Sequence, residues 1–235
     1  MPQSHNALAN SNGFRWLDFD AYLFDIDGTL LVTRDLVHYN ALNRAMREVY
    51  GVETTIDGIT YHGKTDLGIL RAALERMGIV GDCFEANLPA ALQVIRREVN
   101  ANASAILPAV CCGIPEILAS LQSVGNLLGV ASGNLESVGW HKVEAASLRP
   151  FFSFGCFSDE REMRVDVFRQ AATEVKRRLG QHARICFIGD TPSDIQAARQ
   201  LNARIVAVCT GTYKSEELTC HEPDLCVLSC VELLG

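Results

Sequence analysis

The segment Tyr22-Leu23-Phe24-Asp25-Ile26-Asp27-Gly28-Thr29 (YLFDIDGT, residues 22–29) joins a short apolar run to two acidic residues and a glycine. The run over 22–26 is predicted to be a strand, because it is too short for an isolated helix. Side chains alternate along a strand, so Asp25 and Asp27 are predicted to point to one side and Ile26 to the other. An Asp-Gly pair is also common in turns, but a turn does not explain two acids at the end of an apolar run.

Three further apolar runs are predicted to be strands, over 127–131, 185–188 and 205–208. Ser132 follows the first of them, and Asp190 follows the second. Amphipathic helices lie between the runs, and this alternation predicts a parallel sheet covered on both faces. Because the carboxyl ends of parallel strands form one edge, where ligands bind, we expect these polar residues to share one crevice.

The stretch 34–103 differs from the rest because it contains helical patterns and no convincing core strand. Its third helix is predicted over 88–99. We therefore predict an α/β fold, with a Rossmann-like parallel sheet core and helices on both faces, formed by residues 17–33 and 104–235. An all-helical cap subdomain is inserted over 34–103. Residues 1–16 are predicted to be an N-terminal tail.

The acidic residues at this predicted edge can act as metal ligands and as reactive groups. Close carboxylates repel one another unless a cation or a proton intervenes, and their oxygens suit Mg²⁺. Asp25 and Asp190 are the candidate side-chain ligands, with the main-chain carbonyl of Asp27 as a third. A carboxylate can also attack phosphorus, while a second carboxyl group protonates the leaving oxygen and then deprotonates water. Ser132 and the N–H of Gly133 can hold phosphoryl oxygens.

The order of these motifs resembles that of a known family. The residues 25–30 (DIDGTL), after an apolar strand, resemble motif I of the haloacid dehalogenase-like hydrolases. Ser132 resembles motif II, and residues 189–194 (GDTPSD) resemble the acidic motif IV. The resemblance spans about residues 18–234. The helical insert is similar to the α-helical (C1-type) cap of one subgroup, which includes phosphoglycolate phosphatase-like members.

The resemblance implies a role for each matching residue. Asp25 is implied to be the nucleophile and a Mg²⁺ ligand, and Asp27 the general acid/base. Ser132 is implied to bind phosphate, and Asp190 to complete the metal site. True dehalogenases do not have Asp at the position of Asp27. Because an alkoxide leaving group needs a proton and a halide does not, Asp27 favours phosphoryl chemistry.

Thr29 and Asp194 are predicted to support the site. For Asp194, helix capping is an equal alternative, with Thr191 as the N-cap and Pro192 as the first helical residue. For Ser132, the alternative is a loop at the start of a helix.

The sequence departs from the family in one respect. The lysine that clamps the phosphate before motif IV has no counterpart in residues 159–164 (DEREMR). Arg164 is the predicted phosphate-binding replacement, with Arg161 second. Arginine is longer than lysine and bidentate, so the geometry of the clamp is expected to differ. The alternative for Arg164 is a solvated helix end.

The segment 58–65 (GITYHGKT) matches the pattern G-x-x-x-x-G-K-[ST] of loops that wrap nucleotide phosphates. Such a loop must follow a buried strand, but residues 52–57 are polar and brief. We interpret the segment as a cap loop in which His62, Lys64 and Thr65 face the substrate and set specificity. For Lys64 the alternatives are a solvated side chain and, as in the phosphonate-cleaving members of the family, a Schiff base.

The composition limits the partners and the location. The 235 residues carry a formal net charge of −7, which disfavours nucleic acid. Nine cysteines without a C-x-x-C pair, and no run of membrane length, predict a cytoplasmic protein without a membrane partner.

We therefore predict a Mg²⁺-dependent phosphatase for a small phosphorylated metabolite, acting as a monomer or homodimer. The alternatives are a phosphomutase or phosphonate hydrolase of the same family, a P-loop nucleotide-binding enzyme using 58–65, and a non-catalytic binding protein.

Overall fold

The computed structural model describes residues 13–234. The strands of this range are β1 (Ala21–Phe24), β2 (Leu31–Thr33), β3 (Pro108–Val110), β4 (Leu127–Ala131), β5 (Phe154–Cys156), β6 (Ile185–Gly189), β7 (Arg204–Val208) and β8 (Leu225–Val227). The α-helices are α1 (Val37–Tyr50), α2 (Asp66–Glu75), α3 (Gly81–Ala101), α4 (Ile114–Ser123), α5 (Glu136–Ala145), α6 (Arg164–Leu179), α7 (Pro192–Gln200) and α8 (Ser215–Thr219). None of these helices has both the length and the apolar composition needed to cross a bilayer.

Six of the strands form a parallel sheet in the order β5-β4-β1-β6-β7-β8. Successive side chains of β1 pack on opposite faces. Tyr22 and Phe24 join an apolar cluster that includes residues of α4, whereas Ala21 and Leu23 join a second cluster with residues of α6 and α7. Both faces are therefore covered, which confirms the predicted α/β class.

The four strands predicted from apolar runs are confirmed as β1, β4, β6 and β7, with bounds that differ by at most two residues. The strands β2, β3, β5 and β8 are not among the predictions. Each contains three residues. Three residues are too few to show an alternating pattern, so local sequence carries no signal for them.

Helices α1 to α3, hereafter the helical block, have an apolar cluster of their own. Met46, Leu70 and Ile95 are fully buried in it. Strand β2 pairs with β3 in the antiparallel sense, with Leu31 opposite Val110, so the chain enters and leaves the block through one two-stranded ribbon. The helical block therefore leaves and rejoins the rest of the chain at two neighbouring strands, β2 and β3.

Helix α3 starts earlier than the predicted helix over 88–99. It begins at Gly81 and contains Pro89 in its interior. The first half is anchored by Phe84, which is fully buried, stacks on Tyr50 with ring centroids 6.1 Å apart and lies under the guanidinium of Arg71. Proline favours the first turn of a helix, so Pro89 suggests a helix that begins close to it. The packing of Phe84 instead stabilises the helical turns before Pro89.

Residues 1–12 of the predicted tail lie outside the described residues. Residues 13–16 of that prediction need a correction, because Phe14 and Trp16 are buried and belong to the core cluster. Trp16 meets Tyr22 at 5.8 Å between ring centroids, and the hydroxyl of Tyr22 donates a hydrogen bond of 2.7 Å to the Trp16 carbonyl. This aromatic contact attaches the chain to the sheet before β1 begins.

Candidate active site

The strand order brings the predicted site residues together. Strand β1 lies between β4 and β6, and Phe24 is level with Val130 and Ile188 on the two neighbours. The segments that follow these three strands carry Asp25, Ser132 and Asp190, all of which are buried. The predicted crevice at the carboxyl edge of the sheet is therefore present.

Three buried carboxylates, those of Asp25, Asp190 and Asp194, gather in this crevice. One oxygen from each lies within 4.8 Å of the other two, so the group could hold a metal ion. Thr29 donates a hydrogen bond of 3.1 Å to Oδ1 of Asp190. Oδ1 of Asp25 is buried and has no hydrogen-bond partner among the residues that the structure describes. A buried oxygen without a partner is costly, and an added cation would satisfy it.

Burial and mutual repulsion shift the pKa values of two of these groups. Burial raises the pKa of Asp25 to about 6, with Arg164 opposing the rise and the charges of Asp194 and Asp27 adding to it. Burial, followed by the charges of Asp194 and Asp25, raises the pKa of Asp190 well above its ordinary value. The site therefore holds more negative charge than its own protein groups neutralise, which is the situation that a divalent cation relieves.

Gly28 belongs to the turn that follows β1 and sits against Asp190. Its φ is +84°, and a side-chain carbon at this position would collide with the Asp190 carboxylate. Its carbonyl accepts a hydrogen bond of 2.6 Å from Thr210. The Asp-Gly pair is thus a turn as well as part of the site, because only glycine allows the acidic residue to approach so closely.

Arg164, the predicted phosphate-binding residue, lies inside the carboxylate group. Its Nη2 is 2.7 Å from Oδ2 of Asp25 and 2.6 Å from Oδ1 of Asp194, and the side chain is 6% exposed. The alternative of a solvated helix end is therefore wrong. Arg161 is not among the residues that line the site cavity described below. Asp194 belongs to the acidic group and also forms a capping box with Thr191 at the start of α7, so its predicted capping role is present, and its support of the site stays a prediction.

Asp27 lies apart from the acidic group and is held by residues absent from the predicted set. The Nζ of Lys142 is 2.9 and 2.8 Å from its two carboxylate oxygens, and Asn134 donates a hydrogen bond of 2.7 Å to Oδ2. The pKa of Asp27 is lowered. Loss of contact with water acts to raise it, but the Lys142 charge and the hydrogen bonds from Asn134 and Lys142 outweigh this effect. The Asp27 side chain is therefore not one of the three gathered carboxylates; its predicted metal contact was through the main-chain carbonyl.

The sequence of α5, the helix after β4, contains a pattern that indicates a buried lysine at position 142. Val138 and Lys142 are four residues apart on α5, so they lie on one face, and that face is buried. A lysine on a buried face must have a partner, because unpaired lysine is almost never fully buried. Its partner could not be named, since Asp27 is 115 residues away in the sequence.

The site opens into a cavity of about 470 Å³ between the sheet edge and the helical block. Asp25, Asp27 and Arg164 line its floor, and His62 and Lys64 line it from the loop before α2. This loop lies directly on the sheet edge: φ of Gly63 is +77°, and a side-chain carbon there would come within 2.6 Å of Oγ1 of Thr191. Burial lowers the pKa of His62, although the charge of Asp27 opposes this effect.

The prediction that Thr65 faces the substrate is corrected by the structure. Thr65 is 1% exposed and is not among the residues that line the cavity. Its hydroxyl accepts a hydrogen bond from Gly68 N as the N-cap of α2 and donates one of 2.5 Å to the carbonyl of Glu162. Both hydrogen-bonding capacities are used inside the protein, so Thr65 fixes the loop to the sheet domain.

Thr65→Ala is expected to destabilise the protein by about 1–2 kcal/mol, because the helix loses its N-cap and the partly buried carbonyl of Glu162 loses its donor. Urea unfolding of Thr65→Ala beside Thr54→Ala, a loop threonine outside these hydrogen bonds, measures the difference. Equal stability of the two variants would contradict the capping role.

Residues 58–65 are not a nucleotide-wrapping loop. Helix α2 does begin at Asp66, but the described chain has no strand between β2 and β3, so helix α1 and not a strand is the element before Gly58. A phosphate-wrapping loop needs that buried strand to aim its main-chain N–H groups. The structure therefore confirms the interpretation that the match is accidental.

The fold and the site define a class: an α/β protein of the Rossmann-like type with an acidic site at the switch point of its sheet. The sequence profile of the haloacid dehalogenase-like hydrolases matches residues 22–208. The chain belongs to this family of hydrolases. No curated protein matches the sequence.

Three solved structures illustrate what the chain is similar to. CbbY from Rhodobacter sphaeroides, in complex with phosphate, has a TM-score of 0.70 at 20% identity, over 92% of this chain and 96% of that one. A predicted phosphoglycolate phosphatase from Haemophilus somnus has a TM-score of 0.64 at 18% identity, over 92% and 96%. A haloacid dehalogenase-like family protein from Streptococcus pneumoniae has a TM-score of 0.62 at 20% identity, over 92% and 97%.

Proposed function

We propose that the protein is a Mg²⁺-dependent phosphatase that hydrolyses a small phosphorylated metabolite through an aspartyl-phosphate on Asp25. One observation carries the proposal: the buried Asp25 carboxyl group has an oxygen without a hydrogen-bond partner among the described residues, and it lies with two other carboxylates beside Arg164 at the cavity floor. Membership of the hydrolase family and the phosphate-bound relative support it.

The reaction has two steps. In the first, a carboxylate oxygen of Asp25 attacks phosphorus, the bond to the leaving oxygen breaks, and protonated Asp27 gives its proton to that oxygen. In the second, water attacks phosphorus, its proton passes to the Asp27 carboxylate, and the bond between Asp25 and phosphorus breaks. Inorganic phosphate leaves, and both aspartates return to their starting forms.

The lowered pKa of Asp27 suits the second step, because the ionised carboxylate is the form that accepts a proton from water. The first step needs the protonated form. A bound phosphate brings negative charge close to Asp27, and like charge raises the pKa of a carboxyl group. Substrate binding itself thus favours the form that the first step requires.

The phosphoryl group is proposed to be held by Arg164, the Ser132 hydroxyl and the N–H of Gly133, all at the cavity wall. Asp25 and Asp190 would hold Mg²⁺, with the Asp27 carbonyl as the proposed third ligand; the set of hard oxygens and the unbonded Asp25 oxygen fit such an ion. The bound ion would supply positive charge against the phosphate and carboxylates.

The helical block is proposed to act as a cap, formed by residues 34–103, over a core of 17–33 and 104–235. A cavity of about 470 Å³ suits a small metabolite. His62 and Lys64 are proposed to contact the leaving group and set specificity. The cap would limit access of bulk water during the first step. Nine cysteines, all free, support a location in the reducing cytoplasm.

A phosphate-release screen tests the function. Purified protein is incubated with a panel of phosphorylated metabolites, with Mg²⁺ or with EDTA, and inorganic phosphate is measured. We expect Mg²⁺-dependent release from at least one small phosphate ester. Conversion of a substrate to its isomer without phosphate release would indicate a phosphomutase instead, and no turnover of any ester would reject the proposal.

Mg²⁺ is expected to raise the melting temperature more at pH 8 than at pH 5. The pKa values of Asp25 and Asp190 are raised in the folded protein, so the metal-free fold binds protons that the unfolded chain has released. Its stability therefore falls as pH rises from about 4 through about 6. At saturating Mg²⁺ the gain is about 2–3 kcal/mol, or about 5–10 °C.

Asp190→Asn and Asp20→Asn are the matched variants for this measurement. Asp20 lies at the other end of β1, where its side chain is 43% exposed. The shift caused by Mg²⁺ is expected to disappear in Asp190→Asn and to remain in Asp20→Asn. A shift of the same size in both variants would place the ion elsewhere.

A further inference from the structure

The buried cation of Lys142 is not used by the reaction steps above. Its side chain is 4% exposed, and it reaches from α5 to the carboxylate of Asp27. Its Nζ contacts polar groups of three residues: the two Asp27 oxygens, Oδ1 of Asn134 at 2.9 Å and Nδ1 of His38 at 3.2 Å. Burying an ammonium is costly, so a position with so many partners is a constrained one.

The partners of Lys142 are themselves fixed. His38, on α1, places Nε2 at 3.1 Å from Oδ1 of Asp66, and Oδ2 of Asp66 accepts a hydrogen bond of 2.8 Å from Leu135 N. The amide of Asn134 also donates to Oγ of Ser132 at 2.9 Å. The ammonium is thus held from the helical block, through His38, and from the loop after β4, through Asn134.

This arrangement contacts both carboxylate oxygens of Asp27. The Asp27 side chain is 42% exposed and lines the cavity, as do Lys142 and Asn134, which hydrogen-bond to its carboxylate. A carboxyl group that must exchange a proton with a leaving oxygen needs a fixed direction, because misplacement by about 1 Å is costly to catalysis. Without Lys142, Asn134 would be the remaining hydrogen-bond partner of the Asp27 side chain among the residues that the structure describes.

We propose that Lys142 is a positioning residue that holds Asp27 toward the leaving oxygen. This inference rests on the proposed phosphatase function. It states a role for a residue outside the motifs singled out in the sequence: Lys142 lines the cavity, but the hydrogen bonds of its Nζ go to Asp27, Asn134 and His38, and it acts through Asp27. Substitution of Lys142 must therefore slow the reaction more for leaving groups that depend more on protonation.

Lys142→Met tests the role with two probes of similar shape, phenyl phosphate and p-nitrophenyl phosphate. Phenoxide is the stronger base and depends more on protonation. We expect kcat for phenyl phosphate to fall about 10- to 100-fold, with KM changed by less than about threefold, because general acid catalysis is worth about 10²- to 10⁴-fold. For p-nitrophenyl phosphate the loss is expected to be at least about fivefold smaller than for phenyl phosphate.

Three comparisons separate positioning from a structural role. Lys176→Met, at an exposed position on α6, is the matched control and should leave both rates unchanged. Lys142→Arg, which keeps the charge, should recover part of the kcat for phenyl phosphate. In an Asp27→Asn background, Lys142→Met should cause no further loss, because the two residues act as a unit.

Equal losses for the two esters, a rise in KM alone, or a further loss in the Asp27→Asn background would overturn the inference. If Lys142→Met does not fold, Lys142→Arg decides, because it replaces the ammonium by a larger guanidinium. The ratio of the losses for the two esters is then the measure. An active wild-type protein with unaffected Lys142 variants rejects the inference alone. A wild-type protein that releases phosphate from neither these esters nor the metabolite panel rejects the proposed function, and the inference with it.

Discussion

Asp25→Asn is expected to lower the rate of phosphate release by about 10⁴-fold or more, with the fold intact. Asparagine has nearly the shape of aspartate but is a poor nucleophile, so no aspartyl-phosphate can form. A loss of this size corresponds to about 5 kcal/mol or more of transition-state stabilisation. Phosphate release under saturating substrate and Mg²⁺, compared between the two proteins prepared in parallel, measures it.

The fold is expected to survive because the charge of Asp25 is already disfavoured. Burial raises its pKa to about 6, and the asparagine side chain of the variant has no charge to bury. Arg164 keeps Asp194 as a partner at 2.6 Å after the substitution. The melting temperature of metal-free Asp25→Asn should therefore be no lower than that of the metal-free wild type, so lost activity cannot be ascribed to unfolding.

Asp20→Asn is the control on the same strand. Asp20 is partly exposed and pairs with Arg184 at the amino end of β1, far from the site edge. Its substitution should leave the rate within about twofold, because surface pairs contribute little. Rates that are equal in Asp25→Asn and the wild type would refute the nucleophile.

Arg164→Met is expected to destabilise the protein by about 3–5 kcal/mol, because it leaves buried carboxylates without their cation. Asp194 is fully buried and accepts from Nε of Arg164 at 2.7 Å, and Asp25 lies 2.7 Å from Nη2. Methionine fills part of the volume but supplies neither charge nor donor. Equilibrium unfolding in urea, with EDTA present, measures the loss without contribution from a bound ion.

Arg169→Met is the matched control for this loss. Arg169 lies on the same helix and pairs with Asp166, but its side chain is 57% exposed. Its substitution should cost less than about 1 kcal/mol, because solvent screens exposed ion pairs. Adding Asp194→Asn to Arg164→Met should restore part of the stability, since the second change removes the unpaired charge. Equal losses for Arg164→Met and Arg169→Met would mean that the buried charges find another partner.

The fold could be predicted largely because its central strands are short apolar runs with polar ends. Asp25, Ser132 and Asp190 are each the first polar residue after such a run, so their shared edge follows from parallel pairing alone. Strands β5 and β8 could not be found in this way, because three residues at the sheet margin have no period of their own. The early start of α3 depends on Phe84 packing against Tyr50, a contact between residues 34 positions apart.

The site was predicted in part for the same reason. Residues at strand ends were placed correctly, whereas Lys142 and His38 lie on helix faces whose neighbours the sequence does not name. Thr65 was misplaced because a hydroxyl that caps a helix and one that meets a ligand look alike in a sequence. Burial and hydrogen-bond partners distinguish the two uses, and both are properties of the folded chain.

The sequence by itself determined the α/β class, the acidic edge of the sheet and the insertion of helices after the first strand, since these follow from periodicity and from residues adjacent in the chain. Only the tertiary structure decided that Arg164 lies among the carboxylates, that Thr65 turns away from the cavity and that Lys142 holds Asp27. Such contacts join residues far apart along the chain, and their energies depend on burial and distance, which no local pattern encodes.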